Sequence, residues 1–320
     1  MRLLPAVIRP QCVALLLLAA AANGAGPSLN GFDLSETSIP RDDIHHGGPP
    51  KDGIPAIDEP RFLKPASVDF LAPADRVMGM TLNGVAKAYP IKILNYHEVV
   101  NDDFDGEEVV VSYCPLCGTG MAFSSGVGGR NTSFGVSGLL YNSDVLLYDR
   151  ETESLWSQIM AEAVSGPMIG TRLEHLPASY TTWRDWRTRH PDTLVLSTET
   201  GYNRNYDRAP YAGYENSEQV WFPVANRDAR YHSKEQVIGL ELDGQMKAYP
   251  FAELSKLDTP FQDELAGRRL TVHFDAVNRT GRVLDESGSE IPTVIAYWFA
   301  WIAFHPDTEV FDGINEVRLD

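Results

Sequence analysis

One segment of this chain occurs twice, and the second copy starts 160 residues after the first. Residues 77–84 read VMGMTLNG and residues 237–244 read VIGLELDG, and each continues into a Lys-Ala-Tyr-Pro run that ends at Pro90 or Pro250. In both copies an alternating strand meets Asn-Gly or Asp-Gly, the strongest short-range signal for a β-hairpin. The chain is therefore constrained to a fold with two related halves, each containing this hairpin.

The same order of elements continues after each hairpin. Proline is favoured at the start of a helix, so Pro90 and Pro250 are each expected to open one. A strand of the buried type follows at residues 108–113 in the first copy and at 269–274 in the second. Each copy then ends in an aromatic segment and a His-Pro-Asp-Thr turn, and these turns are only 115 residues apart. The first copy therefore carries about 45 residues that the second lacks.

Strand and hairpin signals outnumber helical segments along the chain. We therefore predict an α+β fold, an antiparallel strand-rich domain with a few helices, whose two related halves cover about residues 76–196 and 236–311. Residues 61–320 are expected to form this single domain. Residues 23–60, rich in glycine, proline and charge, are predicted to be an extended N-terminal arm.

The first 22 residues have the composition of a secretory signal peptide. Arg2 and Arg9 give a positively charged start, and residues 13–22 form an apolar run too short to span a bilayer. We therefore predict that residues 1–22 are removed and that the protein is periplasmic or extracellular. No later stretch is long and apolar enough to predict insertion into a membrane.

The chain is strongly acidic, with a formal net charge of −17. Loss of residues 1–22, which hold two arginines and no acidic residue, would make the charge −19. Such a surface repels nucleic acid and anionic membranes, so neither is an expected partner. The same charge favours solubility and attracts cations.

A Cys-x-x-Cys turn distinguishes the first copy from the second. Three reactive residues occur in the first copy and not in the second. Cys114 aligns with Asp275, Cys117 with Asn278, and His97 with Leu257. Residues shared by both copies are expected to serve the fold, whereas residues private to one copy are candidates for function. The joint loss of these three is expected if they form one site.

These three side chains predict a metal site. Two cysteines separated by two residues bring both sulfurs to one side of a turn, and His97 lies near the end of the predicted helix, within reach of that turn. Met121, four residues beyond Cys117, is a further candidate ligand. Thiolate, imidazole and thioether together favour copper, particularly Cu(I), with zinc as the alternative.

Two other functions fit the same residues. In the first, Cys114 and Cys117 are the redox pair of a thiol–disulfide oxidoreductase, and Cys114 is the nucleophile. In the second, they form a structural disulfide in a ligand-binding module without a cofactor. The ligand site then lies in the private segment, and its candidate residues are Tyr141, Asn142, Asp144 and Trp156. A periplasmic redox or metal-delivery partner is expected for the redox and metal functions.

Several segments together resemble an exported bacterial family, domain-of-unknown-function family 3179. The matching segments are DGIPA at 52–56, AYP at 88–90, NYHE at 95–98, YCPLCG at 113–118, GVSGLLYNSD at 135–144 and LWSQ at 155–158. The resemblance implies export and a single family domain. It implies no activity, because none is established for the family.

Overall fold

The computed structural model describes residues 27–127 and 129–313. The predicted signal peptide at 1–22 and the first residues of the predicted arm lie outside this range. The described part contains four α-helices: α1 (Ile91–His97), α2 (Trp183–Arg189), α3 (Phe251–Leu254) and α4 (Trp298–Phe304). None of its helices is long and apolar enough to cross a membrane.

Strands make up most of the regular structure. Before the first hairpin lie β1 (Ser28–Leu29), β2 (Phe32–Asp33), β3 (Ile44–His46) and β4 (Phe62–Leu63). The first half continues with β5 (Arg76–Leu82), β6 (Val85–Pro90), β7 (Val99–Phe104), β8 (Glu107–Cys114), β9 (Thr119–Ser124), β10 (Gly126–Val127), β11 (Arg130–Asn131), β12 (Phe134–Tyr141), β13 (Asp144–Asp149), β14 (Leu155–Ser157), β15 (Glu162–Ser165), β16 (His175–Leu176), β17 (Ser179–Thr182) and β18 (Leu194–Leu196). The second half contains β19 (Gln236–Leu242), β20 (Gln245–Pro250), β21 (Phe261–Leu265), β22 (Arg268–Asp275), β23 (Thr280–Leu284), β24 (Glu290–Ile291), β25 (Val294–Tyr297) and β26 (Glu309–Val310).

The largest sheet combines strands of both halves, in the order β26-β20-β19-β25-β9-β8-β7, with β16 also paired to β9. Two five-stranded sheets have the orders β17-β5-β6-β18-β4 and β15-β14-β13-β12-β3, and β21 to β24 form a four-stranded sheet. Most neighbours are antiparallel, while β18 runs parallel to β6 and β26 parallel to β20. The predicted strand-rich, mostly antiparallel fold with a few helices is confirmed.

The two predicted hairpins have the same register. Val77 pairs with Pro90 between β5 and β6, and Val237 pairs with Pro250 between β19 and β20. The Asn-Gly and Asp-Gly turns both have positive φ at their two central residues, 51° and 78° in the first and 50° and 78° in the second. These angles define the two-residue type I′ turn that Asn-Gly and Asp-Gly favour.

A buried tryptophan packs on each hairpin in the same way. The indole of Trp186 lies against Gly79, and that of Trp301 lies against Gly239, so neither glycine leaves room for a Cβ atom. Each indole N–H donates to the threonine of the following His-Pro-Asp-Thr turn, at 2.9 Å and 3.1 Å. The histidine of the same turn packs on the indole, with ring centroids 4.1 Å and 4.2 Å apart.

Each half also forms a hydrogen bond with a turn of the other half. The backbone N–H of Tyr297, at the junction of β25 and α4, donates to the Cys117 carbonyl at 2.8 Å. In the opposite direction, Thr182 Oγ1, at the junction of β17 and α2, donates to Asn278 Oδ1 at 2.6 Å. The turn that follows β8 and the turn that follows β22 are therefore each fixed by the opposite half.

The extra residues of the first half form a layer of their own. Strands β12 to β15 make a sheet that β3 of the N-terminal arm extends at its edge. Phe32, Leu34 and Ile44 of the arm are buried in one apolar cluster with Leu139 and Leu146. The described part of the arm therefore packs over this layer, and the layer packs over the β8–β9 turn.

Candidate metal centre

Both cysteines lie in the short turn that joins β8 to β9. Cys114 ends β8 and pairs with Thr119, the first residue of β9. Gly118 closes the turn with a φ of 60°, and a Cβ atom there would lie 2.8 Å from Cζ of the Tyr297 ring. The sequence therefore needs glycine at this position for its backbone angle and for its lack of a side chain. The side chains of Cys114 and Cys117 are buried, with 1% and 0% exposure.

The two thiols are free and approach the same backbone carbonyl. Cys117 Sγ donates to the Ser143 carbonyl at 3.3 Å, and Cys114 Sγ lies 3.9 Å from it. Ser143 belongs to the β12–β13 hairpin, about 30 residues further along the chain. The private segment of the first half is therefore in contact with the Cys-x-x-Cys turn.

The β12–β13 hairpin brings a carboxylate to the cysteines. Its two turn residues, Asn142 and Ser143, have positive φ of 51° and 68°, as a type I′ turn requires. Asp144 follows as the first residue of β13 and is 1% exposed. Its Oδ2 accepts the backbone N–H of Ile159 at 3.1 Å, while its Oδ1 is buried without a hydrogen-bond partner. Buried carboxylate oxygens are normally paired, so the free Oδ1 needs an explanation.

Asp144 and the two cysteines form a compact set of metal-ligand atoms. Their ligand atoms all lie within 4.8 Å of one another. Zinc bonds of about 2.0–2.3 Å in tetrahedral geometry separate such atoms by roughly 3.5 Å. The three side chains therefore need only small movements to bind one ion, and that ion would give Asp144 Oδ1 its partner.

Burial favours the protonated forms of the three side chains in the metal-free centre. It raises the pKa of Asp144 to about 7, even though the hydrogen bond from the Ile159 N–H opposes the shift. Burial also raises the pKa of Cys114, and it raises the pKa of Cys117 well above the ordinary range. A cation placed among these groups favours their charged forms, because it compensates for the solvation that they lose on burial.

A second buried carboxyl group, Glu98, belongs to the same electrostatic environment. It follows α1 with a left-handed φ of 56°, and its carbonyl accepts the N–H of Tyr113 at 2.8 Å. Burial, together with the charge of Asp144, raises its pKa to about 8. Sequence comparison missed Glu98 because the aligned residue of the second copy, Asp258, is also acidic. Its place in the NYHE run was the signal that could have identified it.

The long connection between the halves covers the centre. Tyr214 is 3% exposed and shares an apolar cluster with Cys114 and Cys117, and its hydroxyl has no hydrogen-bond partner. Lys234 Nζ lies 4.2 Å from the centroid of the Tyr214 ring. Burial lowers the pKa of Lys234 to about 8. This cover was not predicted, because the segment has neither a motif nor a regular period.

His97 lies away from the compact set. The side chain is fully buried, its Nδ1 is 2.8 Å from the Pro55 carbonyl, and its Nε2 is 2.7 Å from the Tyr206 hydroxyl. Both ring nitrogens are thus hydrogen-bonded to other groups. Among the described residues, the structure joins the cysteines to Asp144 and leaves out His97. The predicted grouping of His97 with the sulfurs is not formed in this arrangement.

Met121 lies on the strand next to the cysteines. It pairs with Ser112 between β8 and β9, two pairs along from Cys114 and Thr119. The side chain is 1% exposed and belongs to the same apolar cluster as both cysteines. This position is that of a core residue beneath the turn, and its role as a ligand stays a prediction.

The four predicted ligand-binding residues have different surroundings. Asn142 accepts the Ala225 N–H at 2.8 Å through Oδ1, so its side chain fixes the covering segment. The Trp156 indole is 1% exposed and donates to Asp149 Oδ2 at 2.9 Å. Tyr141 packs edge-on against Phe304 at 5.5 Å between ring centroids. Asp144 alone joins the cysteines.

Comparison with known proteins identifies the family and nothing beyond it. No curated protein and no solved structure matches the chain. The family model described as "Protein of unknown function (DUF3179)" matches residues 51–308, which include the Cys-x-x-Cys turn and both hairpins. The chain therefore belongs to the DUF3179 family.

Proposed function

We propose that this protein binds one transition-metal ion through Cys114, Cys117 and Asp144. The observation that carries the proposal is the buried, unpartnered Oδ1 of Asp144 beside two free thiols. Three protein ligands leave a fourth position for water or for a further ligand, and Glu98 is a further buried acid whose pKa is raised in part by the charge of Asp144. The acidic surface attracts the ion, and the segment over the site excludes solvent.

The donor set favours zinc over copper. The copper prediction depended on a set of soft or borderline ligands: the two thiolates, the imidazole of His97 and the thioether of Met121. With Asp144 in the set, one donor is a hard carboxylate oxygen. Zn(II) accepts cysteine sulfur and carboxylate oxygen in one site, whereas Cu(I) prefers sulfur alone. We therefore propose zinc, with copper as the competitor in the same assay.

The thiol–disulfide alternative has weaker support. A nucleophilic cysteine needs a lowered pKa and access to its partner. Burial instead raises the pKa of both thiols, and both side chains are covered. Export, if residues 1–22 act as predicted, would place the thiols in an oxidising compartment, where a bound ion protects them from disulfide formation.

We also propose that the two halves descend from one duplicated unit. The support is the identical hairpin register, the matching tryptophan contacts and the reciprocal fixing of the two turns. On this proposal the ion-binding centre belongs to the first half alone, because only that half carries the β12–β13 hairpin.

A competition titration tests the metal proposal. Reduced, metal-free protein is titrated with Zn(II) against a chromophoric chelator, and then with Cu(I) in the same way. We expect one equivalent of Zn(II) per chain, and the double variant Cys114→Ser, Cys117→Ser should bind at least about a thousandfold more weakly, since thiolates dominate such sites. Asp275→Asn, at the aligned position of the second half, is the control that should leave binding unchanged. Equal affinity in the double variant would disprove the proposal.

A further inference from the structure

The junction between the two halves contains a cavity that is lined by several positively charged side chains. It has a volume of about 570 Å³, within the range of small-molecule sites. Arg76 and Gln236, the first residues of β5 and β19, line it from the two hairpins, and Tyr180 and Tyr297 provide aromatic surface. Two further cations, Lys234 and Arg279, complete the wall.

These three cations have no carboxylate partner. Among the ion pairs of residues 27–127 and 129–313, none includes Arg76, Lys234 or Arg279. Glu215 is the one acid of the described part of the chain that lines the cavity, and it is exposed. His232, also on the wall, is paired with Glu218 at 3.2 Å. Three positive charges in one concavity, none of them in an ion pair, are notable in a chain of net charge −17.

The cations are held by neutral oxygens, which fix their positions without neutralising them. Arg76 donates to the carbonyls of Tyr180 at 3.0 Å and Arg279 at 2.9 Å, and also to that of Asn278. Lys234 Nζ donates to the carbonyl of Gln219 at 2.9 Å.

Arg279 has donors left for a ligand. Its Nε and Nη2 donate to Gln236 Oε1 at 3.2 Å and 3.0 Å, which leaves Nη1 available. Preorganised charges of this kind, with donors still unused, recognise an oxyanion.

We propose that this cavity binds a small anion that carries a carboxylate or phosphate group, at a site separate from the metal centre. The arginines contact the oxyanion, and the rings of Tyr180 and Tyr297 accommodate the rest of the ligand. Tyr297 also holds the Cys117 carbonyl through its N–H, so the ligand lies beside the Cys-x-x-Cys turn without belonging to it. The proposal does not depend on the identity of the ion or on its presence.

Binding of two simple probes to the full chain tests this site. Inorganic phosphate and acetate are titrated into metal-free protein, and heat or an NMR shift is followed. Saturable binding of one equivalent of either probe is expected, and which probe binds more tightly identifies the headgroup. Arg279→Gln should weaken binding about tenfold or more, since it removes a charged donor. Arg279→Lys should retain part of the affinity because it keeps the charge.

The matched control is Arg41→Gln, which removes one exposed arginine of the N-terminal arm and changes the net charge equally. It should leave probe binding unchanged, and each variant's thermal unfolding and Zn(II) affinity should match the wild type. Absence of saturable binding for both probes would overturn the proposal. Equal affinity in Arg279→Gln and wild type, or equal weakening in Arg41→Gln, would overturn it as well.

Discussion

The turn after β8 and the turn after β22 occupy aligned positions in the two halves. The hydrogen bonds of their polar side chains differ. Asp275 Oδ1 accepts the N–H groups of Val277 and Asn278 at 2.8 Å and 3.0 Å, and the Asn278 side chain donates to Asp275 Oδ2 at 2.7 Å. Both carboxylate oxygens of Asp275 are therefore hydrogen-bonded within their own turn. The turn with Cys114 and Cys117 instead presents two buried thiols to a carboxyl group from another strand. The aligned positions thus hold a hydrogen-bonded carboxylate in one half and buried thiols beside a carboxyl group in the other.

The pH dependence of stability should differ in sign between the two turns, and this is the largest expected effect. The pKa of Asp144 is about 7 in the folded protein, well above its ordinary value, so the group contributes full stability below about pH 4. That contribution is lost as the pH rises through about 7, on the order of 4 kcal/mol in total. Denaturant unfolding of metal-free, reduced protein between pH 4 and pH 8 measures this loss.

Variants at the two turns sharpen the same experiment. Asp144→Asn should make the decline shallower, because one of the two titrating carboxyl groups is gone, and the part due to Glu98 should remain. Burial alone would raise the pKa of Asp275, but hydrogen bonds from Asn278 and Val277 lower it, so its stabilisation is lost only as the pH falls below its ordinary range. Asp275→Asn should therefore leave the decline above pH 5 intact. An unchanged decline in Asp144→Asn would contradict the assignment.

The second largest difference is expected in metal affinity, between the variants of Asp144 and of Asp275. Asp144→Asn replaces a charged carboxylate that would contact the ion with a neutral amide. The affinity for Zn(II) should therefore fall by about 100-fold, which is typical of substitutions in and around metal sites. Asp275→Asn should bind as the wild type does. The measurement is the chelator competition already described, at one pH and ionic strength. A similar loss in both variants would show that net charge, rather than ligation, controls the affinity.

The glycines under the two tryptophans test what the halves share. Gly79→Ala and Gly239→Ala each force a Cβ atom into an indole ring, and each should lower the free energy of unfolding by about 2 kcal/mol. Gly126→Ala is the control, because its nearest neighbour would lie at 3.4 Å from the added Cβ. Thermal or denaturant unfolding gives the comparison. If alanine were tolerated at one of the two glycines and not at the other, the two halves would not share this glycine–tryptophan packing.

His97→Ala should have the smallest effect on the ion. The change leaves the Pro55 carbonyl without its side-chain partner, whereas the Tyr206 hydroxyl keeps its hydrogen bond with Thr200, so stability should fall by about 1–2 kcal/mol. Zn(II) affinity should change by less than about threefold, since no ligand is removed. A fall in Zn(II) affinity of tenfold or more would show that His97 is a ligand of the ion.

Local sequence signals predicted the elements of the fold well. The Asn-Gly and Asp-Gly turns fixed both hairpins, because short-range backbone preference determines a type I′ turn. Alignment of the two copies also singled out Cys114 and Cys117 as private to one half. These features depend on residues close together in the chain.

The partner of the cysteines was not predictable from the same signals. Asp144 was expected to bind a ligand, but its contact with the sulfurs depends on how the β12–β13 hairpin packs over the β8–β9 turn. Periodicity shows which face of a strand is buried and not which other strand covers it. His97 was expected at the site because α1 ends near β8, yet its ring bonds to Pro55 and Tyr206 instead.

X-ray absorption spectroscopy of the zinc-loaded protein tests the central claim most directly. The account predicts two sulfur ligands at about 2.3 Å and oxygen ligands at about 2.0–2.2 Å, without the multiple-scattering pattern of imidazole. Asp144→Asn should keep both sulfurs and change the oxygen shell. A spectrum without sulfur, or one with an imidazole ligand, would contradict the assignment of Cys114, Cys117 and Asp144 as the metal centre.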